Sequence, residues 1–175
     1  SDFDGDNRTD IAIVSVIPNY ASYASSVQGK QIVSVFTQNP QGEFVAQSAT
    51  YQVGINKSGY SSISSGDING DGNTDLVVPA PGNCAPGDLG NLIYALSGNG
   101  KGSFTASSIT TLNGPISATI MDVTRDGKQD LVFSYNDTTG SVGLAVQKGT
   151  GSGISATWSP TQTGYLSFSH ALGDY

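Results

Sequence analysis

Asp67-Ile68-Asn69-Gly70-Asp71-Gly72-Asn73-Thr74-Asp75-Leu76 is the stretch on which the fold turns. Oxygen-bearing side chains stand at alternate positions, a glycine follows the third of them, and an aliphatic residue closes the run. The same pattern opens the chain as Asp2-Phe3-Asp4-Gly5-Asp6-Asn7-Arg8-Thr9-Asp10-Ile11 and returns as Asp122-Val123-Thr124-Arg125-Asp126-Gly127-Lys128-Gln129-Asp130-Leu131. A further copy begins at Gly173-Asp174-Tyr175. The first aspartates fall at 2, 67, 122 and 174, so the intervals are 65, 55 and 52 residues. Such a period marks one repeated supersecondary unit.

Outward from each loop the chain is apolar and β-prone: Tyr60 to Ser65 before the second and Leu76 to Pro79 after it, Ile116 to Met121 before the third and Leu131 to Tyr135 after it. A further strand is expected at Ile32 to Phe36, Leu92 to Leu96 and Val142 to Val146, then a Gly-rich turn. A last strand is expected at Phe44 to Tyr51, Phe104 to Thr110 and Ile154 to Ser159. Four strands per period is the blade of a β-propeller, and 23 Gly with only 12% charged residues fits an all-β chain of short strands and turns.

The pattern Asp-x-(Asp/Asn)-x-Asp-Gly-x-x-Asp-(Leu/Ile), followed by Gly42-Glu43-Phe44 in the first repeat and Gly102-Ser103-Phe104 in the second, resembles the FG-GAP/VCBS repeat. That repeat is also found in integrin α-subunit propellers and in some fungal and bacterial lectins. The third copy departs from it, with Thr124 at the second ligand position and Gly153-Ile154 in place of Gly-x-Phe, which leaves the affinity of that site open. One segment is read over 1–175: a blade over about 1–52 lacking its first strand, a second over about 59–111, a third over about 115–160, and the first strand of another over 165–175.

Ten of the 14 acids lie inside the three loops, Glu43 is the only Glu, and the net charge is −7. Carboxylates packed so closely call for a cation. Calcium takes six to eight oxygens, which alternating Asp and Asn side chains with one carbonyl can supply within nine residues. The expected ligands are Asp2, Asp4, Asp6, the Arg8 carbonyl and Asp10; Asp67, Asn69, Asp71, the Asn73 carbonyl and Asp75; Asp122, Thr124, Asp126, the Lys128 carbonyl and Asp130. Up to three Ca2+ ions are expected. Gly72 permits a sharp turn, and Asn7 replaces the usual glycine because Asn tolerates left-handed geometry. An EF-hand is excluded, since its bidentate Glu would fall at Ile13, Val78 or Phe133; zinc lacks ligands, with only His170 and Cys84 available.

With one cysteine the chain makes no internal disulfide, so calcium is expected to act as the staple. Seven scattered Lys and Arg argue against nucleic acid, and no apolar run argues for membrane insertion. A secreted or cell-surface setting is expected, with sequons at Asn7, Asn56 and Asn136 adding little. No catalytic constellation emerges, so the chain is read as a non-enzymatic adhesion or ligand-binding module for a glycan or an extracellular protein. Candidate contacts are Tyr20, Tyr23 and Asp88, in the variable segments opposite the calcium loops. Three blades do not close a ring. The chain is therefore expected to be part of a longer propeller, or to form a homo-oligomer through its end strands as a self-assembling structural protein.

Overall fold

The computed structural model describes residues 1–18, 29–56, 62–81, 91–110, 114–136 and 142–162. Every regular element among them is a strand. The first sheet holds β1 (Ile11–Pro18), β2 (Gly29–Gln38) and β3 (Phe44–Asn56), and the second β4 (Ser64–Gly66), β5 (Asp75–Pro81), β6 (Asn91–Gly98) and β7 (Phe104–Thr110). The third holds β8 (Gly114–Met121), β9 (Asp130–Asn136), β10 (Val142–Gly149) and β11 (Ile154–Gln162). Each is an antiparallel meander with strands in chain order, so the three are propeller-like blades that do not close. The all-β expectation holds.

Alternation explains how one short strand serves two cores. Successive side chains leave a strand on opposite faces. In the middle blade, Leu76, Val78 and Leu96 meet Val33 and Val35 of the first blade. Val77, Ile93 and Ala95 turn the other way, against Leu131, Phe133 and Tyr135 of the third. Full burial of each large aliphatic stabilises by about 1.5–3 kcal/mol, so the contacts between blades carry much of the fold.

The strand limits differ from the sequence reading in one informative place. β3 continues past Tyr51 to Asn56, because Gly29 and Lys30 at the start of β2 pair with Asn56 and Ile55. Gly54 makes the extension possible: it sits at φ 90°, and a Cβ there would lie 2.8 Å from the Tyr94 ring. Of the strand expected before the second loop, Ser64–Gly66 is described as β4. The strand expected at Tyr165 to Leu172 lies outside the described residues.

Residues 67–74 join β4 to β5 and residues 122–129 join β8 to β9, while residues 2–10 lead into β1, the counterpart of β5 and β9. Each of the first two loops rests on the hairpin turn of the following blade. The Gly102 N–H donates to the Phe3 carbonyl at 2.8 Å, and the Gly151 carbonyl leaves no room for a Cβ on Gly70. The Asp-rich loops and the Gly-rich turns thus share one end. At the opposite end Pro18 pairs with Gly29, Pro81 with Asn91 and Asn136 with Val142. Tyr20, Tyr23 and Asp88 belong to segments between those strand ends and lie outside the described residues.

Candidate metal centres

The three loops share one hydrogen-bond plan. Their first aspartate accepts from amides ahead of it: Asp2 from Gly5 and Asn7, both at 2.8 Å, Asp67 from Gly70 at 2.7 Å and Gly72 at 2.9 Å, and Asp122 from Asp126 at 3.2 Å and Gly127 at 2.8 Å. Their third acidic position accepts from the amide two residues on, as Asp6 does from Arg8 at 2.8 Å, Asp71 from Asn73 at 2.8 Å and Asp126 from Lys128 at 3.0 Å. These bonds curl the backbone so that alternate side chains converge.

Such a curl requires left-handed backbone at two positions. Gly5 and Asn7, Gly70 and Gly72, and Arg125 and Gly127 all have φ between 58° and 84°. Glycine reaches this region freely and Asn at modest cost, whereas a long side chain pays roughly 1–2 kcal/mol. Asn7 therefore plays the part expected of it. Arg125 is the strained member.

The last aspartate of each loop does more than its spacing implied. Asp10, Asp75 and Asp130 are buried, and each spans from its own loop to the end of the next strand. Asp10 accepts from Phe3 N–H at 2.7 Å and Gln38 N–H at 2.9 Å. Asp75 accepts from Ile68 at 3.1 Å and Gly98 at 2.8 Å, and Asp130 from Val123 and Thr124 at 3.0 Å each and Gly149 at 2.8 Å. Gly98 and Gly149 are glycine for lack of space, since a Cβ would strike the Thr74 and Gln129 carbonyls.

The donor set in the first loop suits a hard cation. Ligand oxygens of Asp2, Asp4 and Asp10 come within 4.8 Å of one another. The Asp4 carboxyl is raised above its ordinary value, by burial first and then by the charges of Asp10, Asp6 and Asp2. Asp2 is lowered, chiefly by the Asn7 amide. A cation at the focus of these oxygens would relieve the repulsion that raises Asp4. In the third loop Thr124 Oγ1 is buried with no hydrogen-bond partner of normal geometry, as suits an oxygen that completes its bonding with an ion.

Asp75 and Asp130 are equivalent in position and opposite in charge preference. Burial raises Asp75, and the Asp71 charge adds to that against the Gly98 and Ile68 amides. Burial acts on Asp130 as well, yet bonds from the Gly149, Thr124 and Val123 amides outweigh it and hold the carboxyl below its ordinary value.

The Arg8 side chain was not foreseen. Its carbonyl was the expected ligand, but its guanidinium also pairs with the Asp6 carboxylate and donates to the Gln38 carbonyl at 2.7 Å. Asp6 therefore stands outside the carboxylate trio of its own loop. In the second loop, Asn69 accepts from the Asp71 amide at 2.9 Å and donates to the Asp71 carboxylate at 3.2 Å.

The model of the FG-GAP-like repeat family matches residues 2–78, which span the first two loops and the blade between them. No curated protein matches the chain. The third loop lies beyond the matched span, yet Asp122, Asp126 and Asp130 accept the same bonds from backbone amides. Over residues 2–78 the chain is thus similar to FG-GAP-like repeats.

Proposed function

We propose that this chain is a calcium-stabilised, non-catalytic binding module of secreted or cell-surface proteins, which holds variable segments at one end of its blades by fixing loops at the other. The observation that carries this reading is the threefold recurrence of one carboxylate loop, with three carboxylates of the first drawn within 4.8 Å. Bound calcium would supply positive charge where clustered aspartates otherwise repel. Asp2, Asp4 and Asp10, Asp67, Asn69 and Asp71, and Asp122, Thr124 and Asp126 are the side chains to hold it, with Asp75 and Asp130 closing the other two loops. A non-catalytic role is supported by how far the loop aspartates are committed to backbone amides.

The partner proposed for the opposite end is a glycan or an extracellular protein, gripped by Tyr20, Tyr23 and Asp88. An array of glycans and matrix proteins probed in millimolar calcium is expected to give hits that vanish in chelator and in a Tyr20→Ala/Tyr23→Ala variant. Hits that persist in both would remove these segments from the account.

Self-association is a second reading, favoured by one observation. Ile11, Ile13 and Ile17 are 37%, 45% and 53% exposed, although Leu76 and Val78, the counterparts of Ile11 and Ile13 in the middle blade, are buried against the blade before. Light scattering showing a defined oligomer that Ile13→Lys dissociates would support it, and a monomer throughout would reject it.

A further inference from the structure

The two junctions between blades are built on the same positions, but one is filled and the other is hollow. At the first, Phe3 packs edge-on to Phe104 with ring centroids 5.6 Å apart, and Tyr51 does so at 5.7 Å. The Tyr51 hydroxyl also accepts from the Phe104 amide at 3.0 Å. Leu96 closes the back of this junction, fully buried. Strand register identifies the matching residues one blade on: Ile68 for Phe3, Ile154 for Phe104, Ile109 for Tyr51 and Gln147 for Leu96. Three aromatic rings give way to three isoleucines, and a leucine gives way to an amide.

A cavity of about 480 Å³ opens where the rings are missing, walled by those four residues and by serines at 97, 107, 108, 152 and 155. It is large enough for roughly 16 waters at bulk density, far beyond a single structural water, and is of the size of small-molecule sites. Gln147 is 1% exposed. Its amide nitrogen makes only a long bond, 3.4 Å, to the Ser155 carbonyl, and its Oε1 has no partner. Leaving a buried amide oxygen unpaired costs about 1–3 kcal/mol, which the leucine at the equivalent position avoids. Ser107 likewise has only a 3.4 Å bond from its hydroxyl to the Ala95 carbonyl.

We propose that this cavity is a binding site for a neutral sugar ring of monosaccharide size. No charged residue lines it, so an ionic ligand would find no counter-charge. Isoleucine walls suit the C–H face of a pyranose, and serine hydroxyls, which both donate and accept, suit its hydroxyl groups. The site lies at the calcium-loop end, beside Asn69 and Ser152, and is independent of the partner proposed for the opposite end.

The test is an amide-resolved NMR titration of the calcium-saturated chain with glucose, galactose, mannose and N-acetylglucosamine, with glucuronate as an anionic control. At least one neutral sugar is expected to give saturable shifts at Ile68, Asn69, Ser107 to Ile109 and Ser152 to Ser155, and glucuronate none. Gln147→Leu, which restores the residue of the filled junction, and Ile154→Phe, which fills the cavity without touching a polar group, are each expected to weaken binding about tenfold or more. Both should melt at or above the parent temperature. No saturable shift with any of the four sugars would mean a solvent-filled cavity and overturn the proposal, as would shifts that survive unchanged in Ile154→Phe.

Discussion

Excess chelator is expected to lower the melting temperature of this chain by about 20 °C. Each ion present at about a hundred times its dissociation constant stabilises the native state by about 2.7 kcal/mol, so three sites supply about 8 kcal/mol. A domain of this length shifts by about 2–4 °C per kcal/mol. The whole stability of such a domain is only about 5–15 kcal/mol, and the chain has a single cysteine and hence no internal disulfide to compensate. Scanning calorimetry in calcium, in magnesium and in chelator measures the effect. Magnesium, which keeps its waters and demands tighter octahedral geometry, should restore little of the loss.

The second large effect is expected from the buried aspartate that ends each loop. Asp130→Ala removes the acceptor for the amides of Val123, Thr124 and Gly149 at once. At about 1–3 kcal/mol for each buried donor left unpaired, and with Val123 partly open to water, the loss is about 4 kcal/mol. This penalty belongs to the fold and should appear in chelator as well as in calcium. Asp122→Ala is the contrast, because Asp122 is only half-buried at the mouth of the same loop. Urea unfolding should place Asp122→Ala within about 1 kcal/mol of the parent in chelator, with a larger deficit only when calcium is present. Equal deficits for the two variants in chelator would show that position 130 has no separate structural duty.

These two effects mark the boundary between what the sequence disclosed and what it did not. The loop spacing was legible because each bond that curls the loop, such as Asp67 to Gly72, spans at most five residues. Strands were legible for the same local reason, since the period of two in β2 appears directly as alternating burial. The duty of Asp75 was hidden because its second partner, Gly98, lies 23 residues on, and only the strand register brings them together. Motif matching also could not separate Phe44 from Phe104, which follow the same Gly-x-Phe pattern. Phe44 is 46% exposed and Phe104 is 8% exposed, because only Phe104 meets the loop of a preceding blade, through Phe3. The hollow junction arises likewise from residues on separate blades, such as Ile68 and Ile154, so no local window contains it.

The Arg8 guanidinium illustrates a third kind of limit. A residue chosen for its backbone carbonyl carries a side chain long enough to reach Asp6 and the Gln38 carbonyl. Its positive charge partly does for Asp6 what a bound ion would do for Asp2, Asp4 and Asp10. Side-chain reach of this sort depends on rotamer and neighbours, which a spacing pattern does not encode.

The most direct test of calcium as the organising ligand is isothermal titration of Ca2+ into the chelator-stripped, dialysed chain, repeated with Asp4→Asn. The account predicts saturable uptake of up to three ions, with one site lost or strongly weakened in the variant. Absence of saturable uptake at millimolar calcium, in a chain that circular dichroism shows still folded, would contradict it and leave the three loops as aspartate turns held by their own amides.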